Sequence, residues 1–378
     1  MKSLLQGLGF AIVSLSLSPA AHSAAPTPNN TKSVEDREGY RKQRPPRRLT
    51  PTQSKRAADN YQKYCALCHG KDREGYANDH APSLKSRSLM NSGIPHGVLR
   101  TLSYGREGTA MGGYLDEVGG PLALDETWNL TYWLFWQAGH DRMRLTENPV
   151  DGNAENGGRL FAKECAQCHG KAGKGGLTAP MLANPSFLAY NKDDFIRFAI
   201  QFGREDTPMK GFKGYLSDTD INDLTAYIRS FETSAQPSGK PKLRALPKPA
   251  DYIINKDGKD PDFPLKDGRY VLSKDLYQAL QDKRRMVLLD TRVPSVWQRS
   301  HIEGSVPVPY YTDIDQLMQD IPKGVQIVAY CSCPRAAADH LTNKLKSMGY
   351  TRTAVLWEGV FGWMQQGLPV MRGDVVSD

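Results

Sequence analysis

The sequence predicts a multidomain chain, with two small all-α domains in tandem followed by an α/β domain on a parallel sheet. Three observations carry this expectation. The chain has 378 residues, about two and a half times an ordinary domain. The string Cys65-Ala66-Leu67-Cys68-His69-Gly70 returns later as Cys165-Ala166-Gln167-Cys168-His169-Gly170. Beyond Tyr270, short β-branched runs alternate with amphipathic stretches, the pattern of strands and helices in a layered α/β domain. Hydrophobic residues make up 39% and charged residues 24%, which excludes a polytopic membrane protein and a wholly disordered chain. Lys and Arg number 49 against 41 Asp and Glu. That surplus hints at acidic partners and gives no ground to expect nucleic-acid binding.

At the start of the chain, Lys2 supplies a positive charge and Leu4 to Leu17 form a short apolar stretch. Pro19 and small residues then offer cleavage after Ser23 or Ala25. This is the pattern of a secretory signal peptide over residues 1–25, so the mature protein is expected in the periplasm. A retained anchor is the other reading, but the stretch is shorter than the ~20 residues that span hydrocarbon. No later segment qualifies as a span; Thr131 to Trp136 is apolar but too short. Residues 26–56 crowd Arg37, Arg41, Lys42, Arg44, Arg47, Arg48, Lys55 and Arg56 around Pro45-Pro46. With little apolar material to build a core, a disordered basic leader is expected. A solvated leader and an arm that docks on acidic lipid or protein both remain open.

Residues 57–140 and 152–233 read as two copies of one domain of about 80 residues. Ala81-Pro82-Ser83-Leu84 matches Ala179-Pro180-Met181-Leu182, Tyr104-Gly105-Arg106-Glu107 matches Phe202-Gly203-Arg204-Glu205, and Met111 matches Met209. Further on, Leu130, Trp133 and Leu134 match Leu224, Tyr227 and Ile228, at the i, i+3, i+4 spacing of a packed helix face. Tyr61 and Phe161, each four residues before the first Cys, share a helix face with it.

A Cys-x-x-Cys-His string in an exported protein is the attachment signature of c-type haem. One helical turn brings both thiols to the two vinyl groups, and the adjacent His lies beneath the iron. A thioredoxin-like pair would need a βαβ setting. A zinc site would need a second Cys/His cluster, and each copy has only one. A disulfide within the motif is geometrically poor. Two covalently bound haem c groups are therefore expected, one on Cys65, Cys68 and His69, the other on Cys165, Cys168 and His169.

The two segments resemble the class I cytochrome c family. The resemblance implies that Met111 is the sixth ligand opposite His69, with the Pro82 carbonyl behind that His; Met209 and Pro180 take these roles for His169. Both methionines stand in polar, glycine-bearing loops rather than on apolar helix faces. Met90 and Met181 read as packing residues, and His80 and His96 are rival sixth ligands for the first haem. A haem with both axial positions filled exchanges single electrons and does not readily take a substrate, so electron transfer is expected.

Residues 234–268, with Pro237, Pro241, Pro247, Pro249, Pro261 and Pro264, read as a semi-extended linker. In residues 269–372, Met286 to Asp290 and Val325 to Tyr330 read as buried parallel strands. Ile314 to Met318 and Ala336 to Met348 read as helices, the latter closed by Gly349. Cys331 falls between the second strand and the second helix, where a helix N-terminus lowers a thiol's pKa.

This segment resembles the rhodanese family through Asp290-Thr291-Arg292, Ser300-His301-Ile302-Glu303-Gly304-Ser305, Tyr330-Cys331 and Leu356-Trp357-Glu358-Gly359-Val360-Phe361-Gly362-Trp363. The resemblance implies a sulfane sulfur carried on Cys331 inside a loop of backbone N–H donors. The loop departs from the family: it reads Cys331-Ser332-Cys333-Pro334-Arg335, with a second Cys, a Pro and the Arg one position early. Cys331 or Cys333 as nucleophile, an inactive binding domain and a redox dithiol are all open, with Arg335 the remaining catalytic candidate.

The expected protein is thus a periplasmic dihaem electron carrier with a sulfur-carrying domain, acting in sulfur-compound oxidation. Its partners would be another cytochrome, a terminal oxidase or a dehydrogenase, together with a sulfane-sulfur donor. The alternatives are a pure electron shuttle whose C-terminal domain only docks, and a sulfurtransferase independent of its haems.

Overall fold

A computed structural model describes residues 41–75, 81–106, 108–139, 142–146, 148–175, 179–231, 240–332, 335–373 and 375–376. The expected signal peptide, the expected leader up to residue 40, His80 and Cys333 lie outside the described residues.

The first helical domain is built from Pro51–Tyr64, Ala66–His69, Arg87–Ser92, Pro95–Tyr104 and Leu124–Gln137. The second repeats the order with Ala154–Glu164, Ala166–His169, Pro185–Tyr190, Asp193–Phe202 and Asp218–Arg229. In each, the first helix crosses the last. Tyr61 and Trp133 meet with ring centroids 5.3 Å apart, and Phe161 meets Tyr227 at 5.4 Å. In the second copy the crossing is so close that a Cβ on Gly157 would lie 2.0 Å from the Asp223 carbonyl oxygen. Only glycine permits that approach.

Two expectations about the connectors are overturned. Residues 41–56, expected to belong to a disordered basic leader, are ordered. Pro51 stands in the first turn of the opening helix, and Thr50 and Gln53 close a reciprocal capping box. Thr50 with Gln three residues on is the signal that composition hid. Ahead of it, Arg41–Gln43 pairs antiparallel with Arg142–Arg144. The Arg47 carbonyl accepts from Trp136 Nε1, while Arg48 stacks on the same indole.

The proline-rich linker does not extend to residue 268 either. Ile253–Ile254 joins the C-terminal sheet, Tyr252 is buried in its core, and Asp260 binds both Arg285 and Arg352. Proline content marked the segment as extended, but its apolar Tyr252-Ile253-Ile254 run is edge-strand material.

The C-terminal domain has a six-stranded, mostly parallel sheet. Its order is Ile253–Ile254, Met286–Asp290, Ile327–Tyr330, Thr353–Leu356, Tyr270–Val271, with Val306–Pro307 also paired to Met286–Asp290. All pairings are parallel except that of Ile253–Ile254. Met286–Asp290 and Ile327–Tyr330 are buried throughout, as continuous apolar runs in a doubly covered sheet should be. Ala336–Ser347 forms the expected helix. Ile314 to Met318 does not: the segment is a series of turns around one Met318 N–H to Ile314 carbonyl bond. Five residues that include Asp315 and lie between Asp313 and Asp320 are too few to propagate a helix.

Candidate haem sites and sulfur-carrying loop

The two copies of the motif fold alike. Ala66–His69 and Ala166–His169 are single helical turns that end at Gly70 and Gly170, both at positive φ. The His69 and His169 carbonyls then accept from Gly75 and Gly175 N–H at 2.8 and 2.7 Å. His69 Nδ1 lies 2.8 Å from the Pro82 oxygen, and His169 Nδ1 lies 3.0 Å from the Pro180 oxygen. A carbonyl can only accept, so each Nδ1 carries the proton and each Nε2 keeps its lone pair for a metal. Burial lowers both histidine pKa values, with the carbonyl bond opposing. The neutral, ligating form is therefore favoured.

The methionine loops are equally matched. Arg106 N–H donates to the Met111 carbonyl at 2.7 Å, and Arg204 N–H to that of Met209 at 2.9 Å. Thr109 and Thr207 hydroxyls each bridge an Arg carbonyl to the Met N–H. Gly105 and Gly203 have positive φ, and a Cβ on either would lie 2.5 Å from the Met carbonyl. One loop geometry thus presents a half-buried Met in each domain.

The donor chemistry suits a haem. Cys65, Cys68, Cys165 and Cys168 form no disulfide. Burial pushes the Cys65 thiol up to about 12, and burial together with Glu164 does the same for Cys165. Such surroundings favour an uncharged sulfur, as in a thioether, over the thiolate of a redox pair or zinc site. Among the described residues no group of three or more His, Cys, Asp or Glu is placed to hold a metal. One His and one Met per site would suffice for a metal whose other donors a porphyrin would supply. Near the first site, the buried Nε of Arg73 lacks a hydrogen-bond partner among the described residues, and its guanidinium stacks on Trp133. It is a donor of the kind a haem carboxylate accepts from. His96 is exposed and packs edge-on against Trp128, a surface role rather than that of a rival ligand.

In the C-terminal domain, Cys331 follows strand Ile327–Tyr330, is 4% exposed and forms no disulfide. Its carbonyl accepts from Val360 N–H and that of Ser332 from Phe361 N–H. The Gly359 motif therefore pins the start of the loop, and a Cβ on Gly359 would lie 2.4 Å from the Ser332 oxygen. Asp290 and Arg292 form a buried bidentate pair just below. Arg335 stacks on Trp357 at 3.8 Å and on Tyr270 at 4.9 Å, and donates to the Trp357 carbonyl. Its guanidinium thus lies against two aromatic rings, while its buried Nε has no hydrogen-bond partner among the described residues. Tyr64, Tyr310 and Tyr311, which bring the C-terminal domain against the first motif, went unnoticed in the sequence. The adjacent Tyr310-Tyr311 pair was the signal available.

Comparison with known proteins fits this geometry. The family model "Cytochrome C oxidase, cbb3-type, subunit III" matches residues 52–134 and 152–228, and "Rhodanese-like domain" matches residues 273–366. Cytochrome c6 of Synechocystis sp. is 35% identical over 91 residues, covering 22% of this chain and 70% of the relative. The cbb3-type cytochrome c oxidase subunit FixP of Sinorhizobium medicae is 25% identical over 173 residues, 44% of this chain and 56% of the relative. Three such oxidase subunits are matched over 31%, 56% and 59% of their own length. The solved rhodanese-like domain of an Anabaena sp. protein is 22% identical, with a TM-score of 0.26, covering 27% of this chain and 78% of that one. The chain belongs to the c-type cytochromes through its two helical domains, with a rhodanese-like domain behind them. Membership implies covalently bound haem c, an electron-carrying role and redox partners.

Proposed function

We propose that the chain is a periplasmic electron carrier with two haem c groups, serving sulfur oxidation through its rhodanese-like domain. The observation that carries the reading is the duplicated site: in both copies a His held by a Pro carbonyl and a Met held by the same Thr-closed loop. Cys65 and Cys68 would hold the first haem, with His69 and Met111 as axial ligands. Cys165 and Cys168 would hold the second, with His169 and Met209. Haem c, when bound, supplies a one-electron iron couple. The chain's part is to fix His69 and His169 in the ligating tautomer and to keep the methionine loops closed, so that little rearranges when the charge changes.

Cys331 would take sulfur from a thiosulfate-like donor. Its thiolate attacks the outer sulfur, the S–S bond breaks, sulfite leaves, and a persulfide remains on Cys331. Water adding to the outer sulfur would form an S–O bond and release two protons and two electrons, and two one-electron carriers on one chain could receive that pair. Tethering holds the sulfur site near haem at an effective concentration of roughly millimolar. Stopped-flow mixing of the oxidised holoprotein with thiosulfate or a persulfide tests this. The parent should be reduced and Cys331→Ser should not; equal rates would refute the coupling.

A second reading, an electron shuttle with a non-catalytic rhodanese-like domain, draws on the capture of Arg335 by Trp357 and the burial of Cys331. Normal haem reduction by a partner dehydrogenase, with no sulfur transfer from thiosulfate to cyanide, would select it.

A further inference from the structure

The two copies of the repeat have different neighbours. At the first, Tyr310 Oη donates to the Tyr64 carbonyl at 2.8 Å, next to Cys65, and the Tyr311 ring meets the Tyr64 ring edge-on at 4.8 Å. Leu67, between the two motif cysteines, packs against the core cluster of the C-terminal domain that includes Cys331. On the other flank, Ser295 Oγ donates to the Gly113 carbonyl at 2.6 Å. A Cβ on Gly112 would lie 2.2 Å from Val293 Cγ1 and 2.6 Å from Val296 Cγ2. Gly112 directly follows Met111, and Val293 directly follows the Asp290-Thr291-Arg292 string. One domain thus grips the first site at both its attachment turn and its methionine loop.

Among the described residues the second copy makes none of these contacts with the C-terminal domain; its methionine loop is held instead by the first helical domain, where Glu205 accepts from Ser86 Oγ and Ser88 N–H. Glu164 replaces Tyr64, Gln167 replaces Leu67 and Lys210 replaces Gly112. Gln167 and Lys210 are exposed, and Cys168 is exposed where Cys68 is half-buried. These are substitutions between duplicates of one module, with the loop hydrogen bonds unchanged. Gly112 lies at no positive φ, so close packing explains that glycine where backbone conformation does not.

We propose that the rhodanese-like domain is a built-in cap on the first haem site, holding the Met111 loop shut, while the second site is left open for exchange with an external redox protein. This rests on the dihaem reading. Electrons that the C-terminal domain handles enter at the first site and leave by the second, one iron being oxidised as the other is reduced. The cap also keeps outside ligands from the first iron, because the loop must open before they can reach it.

The test uses purified holoprotein whose two haems have first been counted; a shortfall there would strike the haem reading and not the cap. Imidazole, which competes with methionine for haem iron, is then titrated in. Binding should occur in two phases, one weaker by roughly tenfold or more, because a closed loop lowers apparent affinity by its open fraction. Gly112→Lys, which copies the second site, should bring the weak phase towards the tight one and leave the tight one in place. Amide hydrogen exchange should rise in peptides 60–70 and 108–116 but not in 160–170 and 206–214. Ser295→Ala, a milder lesion, should move the weak phase in the same direction by less, should Gly112→Lys fail to fold. Equal imidazole affinity at both haems in the parent would overturn the proposal. So would variants that leave the weak phase and both sets of peptides unmoved.

Discussion

Replacing Arg292 by Met tests the electrostatic foundation of the rhodanese-like domain. Asp290 has no exposure, and its carboxylate accepts from Arg292 Nη2 at 2.6 Å, from Nε at 2.9 Å and from the Arg292 backbone N–H at 3.1 Å. Burial works to lower the Arg292 pKa, but the adjacent carboxylate overrides it and holds the guanidinium charged. Arg292→Met would leave a buried carboxylate with one remaining backbone donor and strip the Ser300 carbonyl of its donor. Loss of one partner from a buried pair costs about 3–5 kcal/mol. Amides of the central strands, such as Leu288 and Val328, should then exchange roughly two to four powers of ten faster where global opening governs them. Adding Asp290→Leu should recover much of the loss, since apolar replacement of both partners is often near neutral. A change below about 1 kcal/mol, the value of a surface pair, would refute the reasoning.

Three further outcomes follow from the geometry. Glu205 joins the two helical domains by accepting from Ser86 Oγ and Ser88 N–H. Burial alone would raise its carboxyl, but these hydrogen bonds outweigh burial and hold it below the usual carboxylate value. Its contribution is therefore complete above about pH 4.5 and is lost as pH falls through the depressed value. Exchange at Ser88 should rise on acidification in the parent, whereas in Glu205→Gln it should already be high at pH 7. Gly157→Ala should force the crossing helices of the second domain apart and cost about 1–3 kcal/mol; calorimetry should show a lowered melting temperature, and an unchanged one would contradict the close approach. Arg335→Ala should cost about 1 kcal/mol through the lost Trp357 contacts, seen as a lower urea midpoint for the C-terminal domain.

Much of the site was legible because attachment chemistry fixes residue type and spacing over a few positions. The motif, its proline and its methionine recur in matched order, so each copy checked the other. The fused α/β domain was readable from Met286–Asp290 and Ile327–Tyr330, whose unbroken apolar runs have few other uses. What was missed depends on contacts distant in sequence. Ile253–Ile254 is a strand only because Met286 and Val287 lie beside it. The Thr50 cap was hidden by the basic residues around it. Arg335 belonged to an expected active loop by position, but Trp357, well along the chain, holds it. The grip on the first site could have been suspected from the duplicates themselves, because Leu67 against Gln167 and Gly112 against Lys210 are changes that solvent exposure alone does not call for.

The most direct test of the account is the mass of the purified holoprotein and of its proteolytic fragments, made in cells competent for haem attachment. Two haem additions are predicted, one on the peptide bearing Cys65 and Cys68 and one on that bearing Cys165 and Cys168. Unmodified, alkylatable thiols at either pair would contradict the reading of this chain as a carrier with two haems.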